Sequence, residues 1–138
     1  MDKKQIIAEV KKIPDAILHY AKIARADSLL QCYADSDEFL AVSSDGKMRN
    51  YDEFKKLNTE YYGLLKEQEL STTREAFHVI DANLVILGWT GNITAFFRNG
   101  DTMTMKEYSV TTIFRKIDNI WKVIHSHESC LPVEIKKA

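Results

Sequence analysis

The chain is short of cysteine, of net charge and of long apolar runs, and each shortage removes a class of function. Its only cysteines, Cys32 and Cys130, lie far apart and outside any CxxC spacing. Neither a disulfide framework nor a zinc knuckle is indicated, and a reduced, cytoplasmic setting fits. Lysine and arginine number 19 against 20 aspartates and glutamates, a formal net charge of -1, so no global positive field draws the chain to nucleic acid or anionic lipid. The longest apolar run, near Leu84 to Leu87, falls well below the ~20 residues of a membrane-spanning helix, so no membrane partner is expected. The opening Met1-Asp2-Lys3-Lys4-Gln5 leads into an amphipathic pattern instead of an apolar signal core, which makes export unexpected. On that expectation Asn92-Ile93-Thr94 matches a glycosylation acceptor by chance. Glycine-rich phosphate loops, Walker sequences and nucleophile elbows are missing as well, and no cofactor is expected.

What is present describes one globular unit. At 138 residues, with 45% hydrophobic and 28% charged side chains, residues 1–138 are expected to form a single domain. Ile6, Ile7, Val10 and Ile13, then Ile17, Leu18, Ala21 and Ala24, recur at helical spacing. Pro14 interrupts them, and either kinks one helix or sits in the first turn of a second. Asp27 reads as the N-cap of a short helix carrying Leu29, Leu30 and Tyr33. Phe39 to Ser43 suits a short strand that stops at Ser44-Asp45-Gly46. A further helix is expected from Tyr51 or Asp52 to about Leu65, with Phe54, Leu57, Tyr61 and Leu64 on its apolar face.

From Leu70 the segments turn long, β-branched and aromatic, separated by turn residues at Asp81-Ala82-Asn83, Asn99-Gly100-Asp101 and Asp118-Asn119. Four antiparallel strands are expected. Helices first and a strand meander afterwards is an α+β pattern, with the helices on one sheet face.

Trp121-Lys122-Val123-Ile124-His125-Ser126-His127-Glu128-Ser129 resembles the last strand of many SnoaL-like proteins of the nuclear transport factor 2-like superfamily, and that of the association domain of calcium/calmodulin-dependent protein kinases. Thr111-Thr112-Ile113-Phe114-Arg115-Lys116 and the order of elements extend the likeness over nearly the whole chain. The resemblance implies a cone-shaped, strongly curved antiparallel sheet of the cystatin-like kind, with N-terminal helices on its concave face and a pocket between them. It also implies pairing into homodimers through the sheet. It does not imply one activity, since members include isomerases, cyclases, hydrolases and assembly modules. Two family features are missing: Phe39-Leu40-Ala41-Val42-Ser43 carries no steroid-isomerase carboxylate, and the buried arginines of the kinase association domains align with Gly91 and Thr112.

Strand alternation selects the pocket face. With Asp118-Asn119 as a two-residue hairpin turn, Phe114 falls opposite Val123, Thr112 opposite His125 and Tyr108 opposite Ser129. Tyr108, Val110, Thr112, Phe114, His125 and His127 then share the concave face, Glu128 points away, and Ile113 and Ile124 suit a subunit interface. His125, His127 and Tyr108 are the candidate catalytic groups, the imidazoles for proton transfer and Tyr108 for an oxyanion; alternatively they only line a core. Trp89, Thr112, Phe114, Tyr51 and Tyr62 are candidate ligand-binding walls. The spacing of His125 and His127 specifies no third metal ligand, so no metal is expected. The function expected is binding of a small molecule of unknown identity, with proton transfer or hydrolysis on a small apolar substrate as its chemistry. The alternative is a non-catalytic dimerisation or association module.

Overall fold

The computed structural model describes residues 2–138. Four helices, α1 (Lys3–Val10), α2 (Lys12–Lys22), α3 (Ala26–Leu30) and α4 (Tyr51–Leu64), accompany seven strands. The strands are β1 (Leu40–Val42), β2 (Met48–Arg49), β3 (Leu65–Asp81), β4 (Leu84–Phe97), β5 (Thr102–Ile117), β6 (Ile120–Ser129) and β7 (Glu134–Lys136). They form one curved sheet in the order β2-β1-β6-β5-β4-β3, with β7 added to β5 beside its start. β2 and β3 stay unpaired to each other, so the sheet is open. The expected α+β architecture, helices on one side of an antiparallel meander, is the observed one.

Local chemistry explains the helix boundaries. Asp2 and Gln5 form a capping box at α1, and Asn50 and Glu53 form another at α4 with bonds of 2.9 and 3.0 Å. Each satisfies two backbone donors that a helix start leaves unpaired. Replacing Asn50 with Ala is expected to cost ~1 kcal/mol, seen as a lower denaturant midpoint at unchanged slope. Pro14 falls in the first turn of α2, where its missing N–H breaks no helical bond. Asp27 is not the cap of α3: the helix starts at Ala26 after Arg25, and Asp27 accepts from Ser28 N at 3.0 Å inside the first turn. On α4 the buried residues are Phe54 and Tyr62, while Leu64 is 61% exposed. The chain leaves the helix at Leu65 to enter β3, which turns Leu64 outward.

The β5–β6 hairpin closes on Asp118 and Asn119, both at positive φ (49° and 64°), as a two-residue turn matched to strand twist requires. Ile117 pairs with Ile120 and Phe114 with Val123 as expected, but Ile113 then pairs with His125. Ile124 is the extra residue of a β-bulge, and one extra residue reverses the facing of everything beyond it. A second bulge lies at Lys106 and Glu107, where Gly91 pairs with Tyr108 but Ile93 with Met105. Glu107 there has φ 50° and donates its backbone N–H to Asn92 Oδ1 at 3.1 Å.

β6 also carries parallel partners on its other edge. Leu40, Ala41 and Val42 pair with His125, Ser126 and His127. Upstream, Ala34 N donates to Val123 O and Val123 N to Cys32 O. These bonds hold the segment after α3 against the last long strand, which brings Tyr33 over the concave face. Phe114, Leu65, Val10, Val85 and Val123 are the largest side chains wholly removed from solvent, each stabilising by roughly 1.5–3 kcal/mol. Val10, Val85, Phe114 and Val123 join α1 to the sheet in one cluster, and Leu65 packs with Leu29 of α3 and Tyr62 of α4 in a second.

Candidate functional site

Between the helices and the concave face lies a cavity of about 310 Å³. Its roof is Ile17, Leu18 and Ala21 of α2, Leu29 of α3, and Phe54, Leu57, Tyr61 and Tyr62 of α4. Its floor alternates inward from the strands: Gln68 and Leu70, then Leu87, Trp89 and Ile93, then Met103, Met105, Tyr108, Val110, Thr112 and Phe114. Both methionines and Tyr108 face inward, despite the odd spacing between them, because the bulge at Lys106 and Glu107 changes parity. Ser44 and Asp45 are exposed and also border the cavity, so the β1–β2 turn forms its rim. Asp45 is fastened to Arg49 at 2.8 Å, and this guanidinium holds its carboxyl below the usual carboxylate range.

Ser126 and Glu128 enter from β6. Glu128 Oε2 accepts the Tyr108 hydroxyl at 2.5 Å. Burial pushes the Glu128 carboxyl above its ordinary range, the Tyr108 hydrogen bond returns part of that rise, and the charge of Asp45 adds to it. Tyr108 is in turn driven far up, first by burial and then by the Glu128 charge. Tyr33 and Tyr61 are raised by the same two causes, Tyr61 to about 12, and Tyr62 is raised by burial first and then by Tyr61. Four phenols that stay protonated therefore surround one carboxyl. Gln68, itself buried, accepts from Tyr61 OH at 2.9 Å and donates to Ala21 O at 3.0 Å, tying α4, β3 and α2 together.

Of the residues proposed from sequence, Tyr108, Trp89, Thr112, Phe114 and Tyr62 line this cavity. Trp89 is fixed by a 3.0 Å bond from Nε1 to Thr72 Oγ1. Tyr51 does not line it; its ring packs edge-on against Phe39, 5.8 Å between centroids. The expected placement of His125 and His127 on the concave face is corrected: the Ile124 bulge turns both outward, pairing them with Ile113 and Thr111. His125 continues an outer row through Ile113, Ile86 and His78. His127 borders a shallow outer trough with Arg74, Thr90 and Ser109. Among the described residues no three histidine, cysteine, aspartate or glutamate side chains are placed to hold a metal ion. Ile124, expected outside with Ile113, is only 6% exposed.

Glu128 was the residue that alternation alone turned away. The available signal was the adjacent pair Val123-Ile124: two large apolar residues in succession break the period of two and mark a bulge. Tyr33, expected on the short helix, sits past its end at Leu30, and Gln68 carried no local signal, since its strand begins five residues earlier than the β-branched pattern suggests.

A curved open sheet roofed by helices, enclosing an apolar cavity with one part-buried acid on its floor, defines a class of pocket-bearing α+β proteins. The model of the SnoaL-like domain matches residues 10–134, and the chain belongs to that family. No curated protein matches it in sequence. Similar solved structures include a nuclear transport factor 2-like superfamily protein from Salmonella enterica serovar Typhimurium, 19% identical over 95% of this chain and 94% of that one, TM-score 0.81. Another is the type 3 hexachlorocyclohexane dehydrochlorinase of Novosphingobium barchaimii, 9% identical over 97% and 92%, TM-score 0.77. A type 2 hexachlorocyclohexane dehydrochlorinase is 9% identical over 99% and 92%, TM-score 0.78. At these identities the likeness concerns the fold.

Proposed function

We propose that this protein binds a small, largely apolar molecule in the cavity and that Glu128 exchanges a proton with it. The observation that carries this reading is the Glu128–Tyr108 pair, a carboxyl desolvated inside an apolar chamber and oriented by one phenol. A carboxylate raised toward neutrality is a stronger base than one in water, and a better match for the pH at which it works. Oε2 is held by Tyr108, which leaves Oε1 to meet the ligand. In this reading Tyr108 orients the acid instead of meeting an oxyanion, and the two histidines take no part. Thr112 and Ser126 supply hydroxyls beside it, and Trp89, Phe114 and Tyr62 supply walls. That dehydrochlorinases share the fold supports proton removal as a chemistry such a chamber accommodates.

A thermal-shift screen against small metabolites tests the site, because a ligand that binds the native state raises the melting temperature by mass action. A shift lost in Glu128→Gln or Tyr108→Phe and kept in His125→Ala and His127→Ala is expected. A shift lost in His127→Ala and kept in Glu128→Gln would reject the assignment.

We also propose a homodimer through the outer sheet face, where Ile86 and Ile113 lie between His78 and His125 and the next row is the small Ala76, Gly88 and Thr111. Small side chains let a second sheet approach closely. A solution mass that stays monomeric across concentration would exclude it. A cytoplasmic setting accords with two unpaired thiols, Cys32 and Cys130.

A further inference from the structure

The charge inventory of the cavity is one-sided. Tyr108 spends its O–H on Glu128, Tyr61 spends its O–H on Gln68, and Gln68 spends an amide N–H on Ala21 O. What remains turned inward is one acceptor with charge, Glu128 Oε1, beside the neutral hydroxyls of Tyr33, Tyr62, Thr112 and Ser126. Among the described residues no lysine, arginine or histidine lines the chamber. Buried carboxylates in proteins are ordinarily matched by a cation, and here the protein contributes none at the carboxyl. The groups facing Glu128 are Tyr108 from β5, Tyr33 from the segment after α3, Tyr61 and Tyr62 from α4, and Asp45 from the β1–β2 turn. All are neutral or negative, and aromatic rings stabilise positive charge.

We infer that the ligand is an apolar molecule carrying a basic nitrogen, bound as its ammonium with the N–H directed at Glu128 Oε1. The inference rests on the reading that the cavity is the binding site, and it names the ligand class. The nitrogen supplies the missing cation, and the apolar remainder fills the space between Leu87, Ile93, Met105 and Leu57. Transfer of the proton breaks the N–H bond and forms an O–H bond on Glu128. It leaves a neutral amine beside a neutral acid, a pair that an apolar chamber holds without charge. An anionic ligand meets the like charge of Glu128 and no cation to offset it.

Isothermal titration of the whole protein with 1-naphthylmethylamine, 1-naphthylmethanol and 1-naphthoate compares the three charge states on one apolar frame. At pH 7.5 the amine is expected to bind at least about tenfold more tightly than the alcohol, as a charge-assisted hydrogen bond is stronger than a neutral one, with no binding of the carboxylate. On acidification the amine's advantage shrinks as Glu128 takes up its proton, and in Glu128→Gln it disappears. The ranking in the unaltered protein stands without any variant. An alcohol that binds as tightly as the amine, or an amine preference that survives Glu128→Gln, overturns the ligand class and leaves the cavity reading intact. Failure of all three to bind overturns both.

Discussion

Glu128→Gln is expected to lower turnover of any substrate that gives up a proton in the cavity by roughly 10²–10⁴-fold, the usual loss on removing a general base, and at the same time to make the fold more stable at alkaline pH. The second effect follows from the direction of the carboxyl's shift. Its folded pKa lies above its unfolded one, with burial the largest cause, so the folded state holds the proton more tightly. The stability contributed is complete below the unfolded carboxylate value and is lost as pH rises through the folded value. Glutamine keeps the shape without the ionisation. Denaturant titrations should therefore show the native chain losing stability relative to the variant as pH rises above the ordinary carboxylate range, whatever the common contribution of the other carboxyls. Parallel curves would mean that Glu128 is solvated and that the chamber admits water freely. A site that weakens its own scaffold to hold a reactive group is what a functional acid requires, whereas a structural one would be relieved by substitution at no loss.

Gly91→Ala should be the most damaging single methyl addition in the sheet. A Cβ there would lie 2.2 Å from the Ser71 carbonyl oxygen and 2.6 and 2.7 Å from two ring carbons of Trp89. The first contact is backbone in the paired strand β3, so it cannot rotate away. A loss of about 3 kcal/mol is expected, or a melting temperature lower by roughly 10 °C for a chain of this size. Gly88→Ala is the control. Within one protomer its Cβ would meet nothing within 4 Å, so in the dissociated chain alanine's smaller entropy cost makes the change neutral or mildly stabilising, by ~0.5 kcal/mol. Equal behaviour of the two variants would contradict the packing of the Trp89 indole across Gly91. The same crowding shows why this position holds no arginine of the kind found in the kinase association domains: the space beside it belongs to tryptophan.

These effects separate two kinds of information in the chain. The start of α4 at Tyr51, Pro14 in the first turn of α2, the two-residue turn at Asp118 and Asn119, and the inward set Tyr108, Val110, Thr112 and Phe114 are local. Each follows from bonding and steric rules that span four residues or fewer, or from the period of two on a regular strand. The failures are also of one kind. Tyr51 has the composition of a pocket residue, but its side chain finds Phe39 first. His125 and His127 have the chemistry of a catalytic pair, and one inserted residue, Ile124, turns them to the outside and Glu128 inward.

The sequence by itself determined the α+β class, the family, the turn positions and the apolar wall on β5, because these depend on periodicity and on short-range backbone preferences. Tertiary structure decided which acid meets the ligand space. That outcome depends on where a strand bulges and on Tyr33, Tyr61, Tyr62 and Gln68 arriving from distant elements to strip water from Glu128. Desolvation is a property of the surroundings in space, and no residue's neighbours in the chain specify it.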